Sequence, residues 1–115
     1  MTVTIYGIKA CDTMKKAFTW LDEAGIDYTF HDYKKAGAPK SKVAAWIKRE
    51  GWEVIINRRG TTWRKLPEDV RADMDAASAV DAAVENPSLI KRPVVEYPGG
   101  LLVGFSPDDW AEALK

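Results

Sequence analysis

The feature that most constrains the fold is a strand, a helix and a second strand near the start of the chain. β-Branched residues alternate over Thr2 to Tyr6, which predicts a strand. From Asp12 the apolar residues follow the spacing of one helix face until Gly25, and Tyr28 to Tyr33 predicts the second strand. Because a helix connects the two strands, we expect a βαβ unit with parallel strands and a right-handed crossover.

The middle of the chain is predicted to be helical. Apolar residues within Val43 to Ile47 form the buried stripe of a helix that ends at Gly51. The next stretch, WEVIINRRGTTWRKL, is a short apolar run followed by a polar turn with three arginines, and loops of this kind often carry function. Pro67 to Asn86 predicts one broken helix or two short helices, which end before Pro87.

The last part of the chain predicts a β-hairpin followed by a helix. Pro93 to Tyr97 and Leu101 to Phe105 are the expected strands, joined by the turn Pro98-Gly99-Gly100. Ser106 is suited to cap the final helix, with Pro107 as its first residue.

Together these elements predict an α/β protein with a thioredoxin-like fold. Its mixed four-stranded sheet would contain the βαβ unit and the hairpin, followed by the terminal helix. An all-helical insertion would occupy roughly residues 38–88, and residues 1–115 would form a single domain.

Composition and charge narrow the possible functions. The chain has 115 residues, of which 46% are hydrophobic, and this suits one domain with a single core. Its 17 basic and 17 acidic residues give no net charge, so no nucleic-acid or membrane partner is expected. The start MTVTIYGI predicts no secretory leader, and no apolar run is long enough to span a membrane. We therefore expect a cytoplasmic protein that acts as a monomer.

The chain has one cysteine, Cys11, where the first strand pattern changes to a helical one. A helix N-terminus stabilises an anion and so lowers a thiol pKa; Lys9, Lys15 and Lys16 could add to this effect, whereas Asp12 opposes it. A thiolate populated near neutral pH would attack a disulfide, an oxidised sulfur or an oxyanion. The alternative is an inert, buried cysteine, although ligands often bind at such strand-to-helix loops in open α/β sheets.

Three motifs, in order, carry a resemblance to a known family. They are YGIKACDTMKKA, NRRGTTWRKL and NPSLIKRPVV. The chain resembles the arsenate reductase-like family, which includes glutaredoxin-dependent arsenate reductase, the regulator Spx and the YffB-like proteins, and it is most similar to the YffB-like branch. That branch is regarded as glutathione-dependent thiol reductases.

The resemblance implies roles for several residues. Cys11 matches the nucleophile of the reductases, and Arg92 matches one of the arginines that hold the oxyanion. Pro93 matches a proline that is usually cis and lies against the active site. Either Arg58 or Arg59 could be the middle arginine, with a slight preference for Arg59.

The chain also departs from the family pattern. Phe105 stands where the arsenate reductases have another arginine, which puts arsenate binding in doubt. Spx-type switches use a Cys-x-x-Cys pair, whereas Cys11 is followed at that spacing by Met14, so an external thiol would have to resolve any covalent intermediate. Glutathione would serve as co-substrate, with its carboxylates near Lys9, Arg59 and Arg92, and no tightly bound cofactor is expected.

The resulting prediction is a glutathione-dependent thiol-disulfide oxidoreductase with a single reactive cysteine. Glutathione or another small thiol, or an oxyanion, would be the substrate, and glutaredoxin is a candidate partner. Two alternatives stay open: a glutathione- and glutaredoxin-dependent arsenate reductase, and a non-catalytic, Spx-like regulator that binds a protein partner.

Two further features favour other roles less strongly. His31, the only histidine, is expected to have a surface or structural role, and no metal site is predicted because no cluster has ligand spacing. Basic residues interleave with Trp63 between Arg58 and Lys65, which could indicate nucleic-acid binding, an anion pocket or a solvated loop. Nucleic acid is the least favoured of the three.

Overall fold

The computed structural model describes residues 2–115 and contains a mixed sheet with helices. The strands lie in the order β2-β1-β3-β4. They are β1 (Thr4–Gly7), β2 (Thr29–Asp32), β3 (Val94–Tyr97) and β4 (Gly100–Val103). The helices are α1 (Asp12–Glu23), α2 (Tyr33–Ala36), α3 (Lys40–Glu50), α4 (Trp52–Ile55), α5 (Thr61–Arg64), α6 (Glu68–Ala72), α7 (Ala76–Glu85) and α8 (Pro107–Leu114), with a 3₁₀ turn at Pro87–Leu89.

The strand directions confirm the predicted α/β, thioredoxin-like fold. β1 and β2 are parallel, as the βαβ pattern requires, and Gly7 pairs with Asp32. β3 runs antiparallel to both β1 and β4, and Val94 pairs with Tyr6 on one side and Val103 on the other. The predicted hairpin is therefore present, and β1 is a central strand.

The chain divides into two compact units. The first contains the chain up to Ala36 together with Arg92–Lys115, and the second is Gly37–Lys91. The second unit is close to the helical insertion predicted at residues 38–88, and the single-domain interpretation stays a prediction. Among residues 2–115, no helix is both long and apolar enough to cross a membrane.

The core of the first unit forms where two helices pack on the sheet. α1 contributes Met14, Ala17 and Leu21, whose spacing places them on one helix face. α8 contributes Trp110, which is fully buried and donates its indole N–H to the carbonyl oxygen of Gly104 at 3.1 Å. Burying a side chain of this size is a large share of the hydrophobic stabilisation of a small unit.

The second unit is built around helix packing. α3 buries Val43, Trp46 and Ile47, α7 buries Ala79 and Ala83, and these two helices pack together. α3 ends at Gly51, which has φ 93°, a conformation that glycine adopts readily.

A short bridge also ties the middle of the second unit to its C-terminal end. Ile56 pairs antiparallel with Ile90. The Asn57 N–H donates to the carbonyl oxygen of Leu89 at 2.7 Å, and the Lys91 N–H donates to that of Ile55 at 2.8 Å. The loop after α4 is thereby fixed by its backbone.

Several boundaries differ from the prediction for local reasons. Tyr33 begins a helix instead of ending β2, since the Asp32 carboxylate accepts the Lys34 N–H at 2.9 Å and turns the chain. Residues 52–66 form two single-turn helices with a loop between them. Residues 67–86 form two helices, because Asp75 and Ser78 make a capping box that starts α7. β4 ends at Val103, so Phe105 lies beyond the strand.

Candidate active site

Cys11 lies directly before α1, at the end of the loop that follows β1. It is the N-cap residue, with φ −111° and ψ 134°, and its carbonyl oxygen accepts the Lys15 N–H at 3.0 Å. The thiol is free and half-buried, and it packs against the core of the first unit. The predicted position of the cysteine at the start of a helix is confirmed.

The surroundings of Cys11 combine opposing charges. Among the described residues, no side chain makes a capping hydrogen bond at the N-terminus of α1, and backbone N–H groups at a helix N-terminus favour a nearby anion. Asp12 is in the first turn of α1, and its negative charge disfavours a nearby anion. Lys9 and Lys15 are both exposed on either side of Cys11 in the chain.

The start of α1 is held by close packing between Gly7 and Met14. A Cβ placed on Gly7 would be 2.5 Å from Met14 Sδ, so only glycine leaves room for the methionine. Met14 is fully buried. Met14 stands where a Cys-x-x-Cys motif would have its second cysteine, and here it is a core residue. Its contact with Gly7 at the end of β1 positions α1, whose N-cap is Cys11.

Three chain segments meet at one end of the sheet. Tyr6 pairs with Val94, and Val94 pairs with Val103, so the residues that follow β1, precede β3 and follow β4 extend from the same end. These segments carry Lys9 and Cys11, then Arg92 and Pro93, and then Phe105. The strand register therefore places these residues at the same end of the sheet.

Pro93 is fixed in this arrangement. The Arg92–Pro93 peptide bond is cis, the isomer that the resemblance implied. Pro93 is buried, and its carbonyl oxygen accepts the Gly104 N–H at 2.8 Å. Arg92 is half-buried.

Arg58 and Arg59 belong to the second unit and lie together in the loop between α4 and α5. The Arg59 N–H donates to Asn57 Oδ1 at 3.1 Å, and the Arg64 guanidinium donates to the Arg59 carbonyl oxygen at 3.0 Å. The Arg58 guanidinium carbon is 5.6 Å from the centroid of the Trp52 ring, a cation–π distance.

These two arginines line a groove of about 370 Å³ on the second unit. The other lining residues are Glu53, Ile56, Asn57 and Lys91. Lys91 is a basic residue that the sequence prediction did not assign to an anion site, although it stands beside Arg92 in the Lys-Arg-Pro motif. Since both Arg58 and Arg59 line the groove, the choice between them stays open.

A polar row on the sheet was not predicted from the sequence. The Tyr6 hydroxyl donates to Glu96 Oε1 at 2.6 Å, and the ring centroids of Tyr6 and His31 are 5.1 Å apart. Burial raises the pKa of Tyr6, and the bond to Glu96 raises it further. His31 also contacts Tyr33, with ring centroids 5.9 Å apart, so this histidine is packed between two aromatic rings. That packing agrees with the structural role expected for His31.

Tyr33, which packs on His31, has a buried hydroxyl group that is not hydrogen-bonded to any group in the described part of the chain. Burial raises its pKa, Tyr6 and Glu96 add to the rise, and Arg92 acts in the opposite direction. Arg92 is thus close enough to act electrostatically on a buried phenol at the site end of the sheet. Within residues 2–115, no group of three or more His, Cys, Asp or Glu side chains is placed to hold a metal ion.

Comparison with known proteins finds relatives that match this chain over nearly its whole length. The solved structure of the YffB protein is 52% identical, covers 98% of this chain and 99% of that chain, and superposes with a TM-score of 0.95. An arsenate reductase (ArsC) related protein from Brucella melitensis is 57% identical over 99% of this chain and 94% of that chain, with a TM-score of 0.78. The global transcriptional regulator Spx of Streptococcus pyogenes is 26% identical over 93% of this chain and 81% of that protein.

The family profile covers almost the whole sequence. The ArsC family matches residues 6–113, which include the second unit, most of the first unit and every predicted site residue. Since relatives more than half identical share the fold along nearly the full length, the chain belongs to the ArsC family.

Proposed function

We propose that the protein is a glutathione-dependent thiol-disulfide oxidoreductase that uses Cys11 as its only nucleophile. The observation that carries this proposal is the free, half-buried thiol at the N-terminus of α1, on the sheet end that also holds Pro93. Helix N-termini are common binding places for anions, and the thiolate is the nucleophile in disulfide exchange.

The chemistry takes place in two exchange steps. The Cys11 thiolate attacks the glutathione sulfur of a mixed disulfide R–S–S–G, forming a Cys11–glutathione disulfide and releasing R–S⁻, which takes up a proton. The thiolate of a second glutathione then attacks the glutathione sulfur on Cys11, which releases oxidised glutathione and regenerates the Cys11 thiolate. In total, R–S–S–G and one glutathione thiol become R–SH and oxidised glutathione, so one disulfide bond is exchanged for another. With one cysteine per chain, the resolving thiol has to come from solution.

Basic residues offer contacts for the carboxylates of glutathione. Lys9 and Arg92 belong to segments at the same sheet end as Cys11, and we assign them to this binding. Arg58 and Arg59 carry positive charge in the groove of the second unit, which suits an anion, and the role in glutathione binding expected for them from the sequence stays a prediction. Glutathione acts here as a co-substrate. We also propose a cytoplasmic location, where glutathione is kept reduced.

The test is turnover of the mixed disulfide between glutathione and 2-mercaptoethanol, with glutathione reductase and NADPH reporting the oxidised glutathione. Wild-type protein should turn over, and Cys11→Ser should be inactive. Intact mass after incubation with oxidised glutathione should show one glutathione on the wild type and none on Cys11→Ser. Equal rates for both proteins, or no adduct on the wild type, would refute the proposal.

Arsenate reduction is a second candidate, favoured by the groove that Arg58, Arg59 and Lys91 line. Against it, the chain has Phe105 after β4, where the resemblance implied an arginine. Arsenate turnover with glutathione and glutaredoxin decides between them, and Phe105→Arg should increase any arsenate activity that the wild type has.

A non-catalytic regulator remains the alternative outside enzymology, because Spx matches along 93% of the chain. It predicts that a protein partner is retained equally by the wild type and by Cys11→Ser. A partner lost in Cys11→Ser would point back to thiol chemistry.

A further inference from the structure

A second surface feature lies along α1, beside the candidate active site. It is a shallow groove of about 340 Å³ on the first unit, which we call the α1 groove. It is lined by Lys15, Lys16, Thr19, Trp20, Glu23 and Phe105.

The walls of the α1 groove are aromatic and held in place. Trp20 and Phe105 are both half-buried, and each contacts the fully buried Trp110 edge-on, with centroids 5.6 Å and 4.8 Å from it. The Trp110 indole is itself fixed by its hydrogen bond to Gly104. Rings positioned before binding lose little conformational freedom when a ligand packs on them, and such rings make effective anchors.

The rim of the α1 groove is mainly basic. Lys15 and Lys16 are exposed at one end, and Glu23 is the acidic residue at the other. Lys115 adds a third cation, with its Nζ 5.2 Å from the centroid of the Trp20 ring. The charge therefore suits a ligand with acidic groups beside an apolar one.

The α1 groove is adjacent to Cys11. Lys15 is bonded through its N–H to the Cys11 carbonyl oxygen, and one helical turn rises only about 5.4 Å. Phe105 follows β4 at the same sheet end as the cysteine loop. A peptide whose mixed disulfide with glutathione lies at Cys11 would reach the groove within a few residues of its own cysteine.

We propose that the α1 groove binds a peptide segment of a glutathionylated protein, with a large apolar side chain between Trp20 and Phe105 and acidic neighbours at Lys15 and Lys16. This rests on the proposed function and gives its substrate class: a protein thiol carrying glutathione. Phe105 then has a role as a wall for a substrate side chain in place of an oxyanion ligand. The exchange steps are those above, with R–S as the protein thiol.

The experiment compares two synthetic peptides, each with one glutathionylated cysteine. One carries a phenylalanine and two glutamates near the cysteine, and the other carries alanine and two lysines at the same positions. We expect kcat/KM for the first peptide to exceed that for the second by about tenfold or more, as aromatic anchors and complementary charges provide. Equal values for the peptides, with the small mixed disulfide still turned over, would overturn the inference while the proposed function stands. Failure on the small disulfide would instead count against the proposed function.

Variants test the α1 groove itself. Lys16→Glu should reduce the ratio of the two kcat/KM values by about fivefold or more, and the ratio cancels any effect on Cys11 itself. Lys48→Glu, at an exposed position of α3, is the matched charge reversal and should leave the ratio unchanged. Trp20→Ala should abolish the preference, and because its loss could weaken packing on Trp110, the exposed Lys16 is the primary test.

A binding measurement separates recognition from turnover. Fluorescence anisotropy of each peptide, labelled and in reduced form, with Cys11→Ser should show tighter binding of the acidic aromatic peptide. Equal affinities would overturn the assignment of the α1 groove.

Discussion

Replacing Gly7 by alanine tests how tightly the candidate active site is built into the core. The new Cβ would lie 2.5 Å from Met14 Sδ and 2.6 Å from Met14 Cε. Favourable contacts are at roughly 3.5–4.0 Å, so the atoms would have to separate by about 1 Å. The end of a methionine is flexible, but Met14 is fully buried and can move only into packed neighbours.

Two opposing contributions determine how Gly7→Ala changes the free energy of unfolding. Overpacking a core costs about 1–3 kcal/mol, whereas replacing glycine stabilises by about 0.4–1 kcal/mol through the unfolded chain, and Gly7 has no positive φ that would cancel this gain. We therefore expect Gly7→Ala to lower the free energy of unfolding by about 1–2 kcal/mol.

Urea unfolding followed by tryptophan fluorescence measures this change, with an unchanged m-value as the sign of an intact two-state transition. The matched background is Met14→Val, which lacks both clashing atoms. In that background Gly7→Ala should be neutral or stabilising. The same loss in both backgrounds would refute the steric explanation.

Three further predictions concern the tyrosines and the helix caps. Tyr6→Phe should lower the free energy of unfolding by about 1–2 kcal/mol in urea unfolding, because Glu96 loses its 2.6 Å hydrogen bond, whereas Tyr33→Phe should be neutral or stabilising because its hydroxyl has no partner. A larger loss for Tyr33→Phe than for Tyr6→Phe would contradict this reasoning. The raised pKa values of Tyr6 and Tyr33 favour the protonated folded state, so their contribution is complete below about pH 10 and is lost as pH rises above it. Unfolding measured at pH 9 and pH 11 should show a smaller alkaline loss in each phenylalanine variant, and equal losses would argue against the shifts. Hydrogen bonds to Ser78 lower the pKa of Asp75, so Asp75→Ala should be less stable than the wild type near pH 7, and this difference should shrink as pH falls through the carboxyl range. A difference that persists undiminished at pH 3 would rule out the charged cap as its cause.

Local signals predicted much of this fold. The position of Cys11 before α1 followed from where the helical spacing begins, and the hairpin followed from Pro98-Gly99-Gly100. Both depend on residues within a few positions of each other, which is the range over which periodicity and turn chemistry act. The resemblance to the ArsC family could also be seen in the sequence, because each of its motifs is a continuous stretch of residues. The match of the family to residues 6–113 confirms it.

Features that depend on strand register could not be predicted in this way. The bond between Tyr6 and Glu96 joins residues 90 positions apart, and no local pattern encodes it. The placement of Phe105 at the same sheet end as the cysteine loop likewise depends on β3 pairing with both β1 and β4. The helix at Tyr33 was missed because YTFHDY has strand-like composition, and the Asp32 turn overrides that preference.

The central position of β1 also has a consequence for the order of folding. One side of β1 pairs with β2, which is near it in the chain, whereas the other side pairs with the distant β3, where Thr4 meets Glu96. The second unit, Gly37–Lys91, is continuous in sequence and can form its contacts without waiting for a distant segment. Because closing a long loop is slow, we expect helix pairing of α3 with α7 to precede completion of the sheet. The candidate active site, assembled from segments at both ends of the chain, would then be among the last parts of the protein to form.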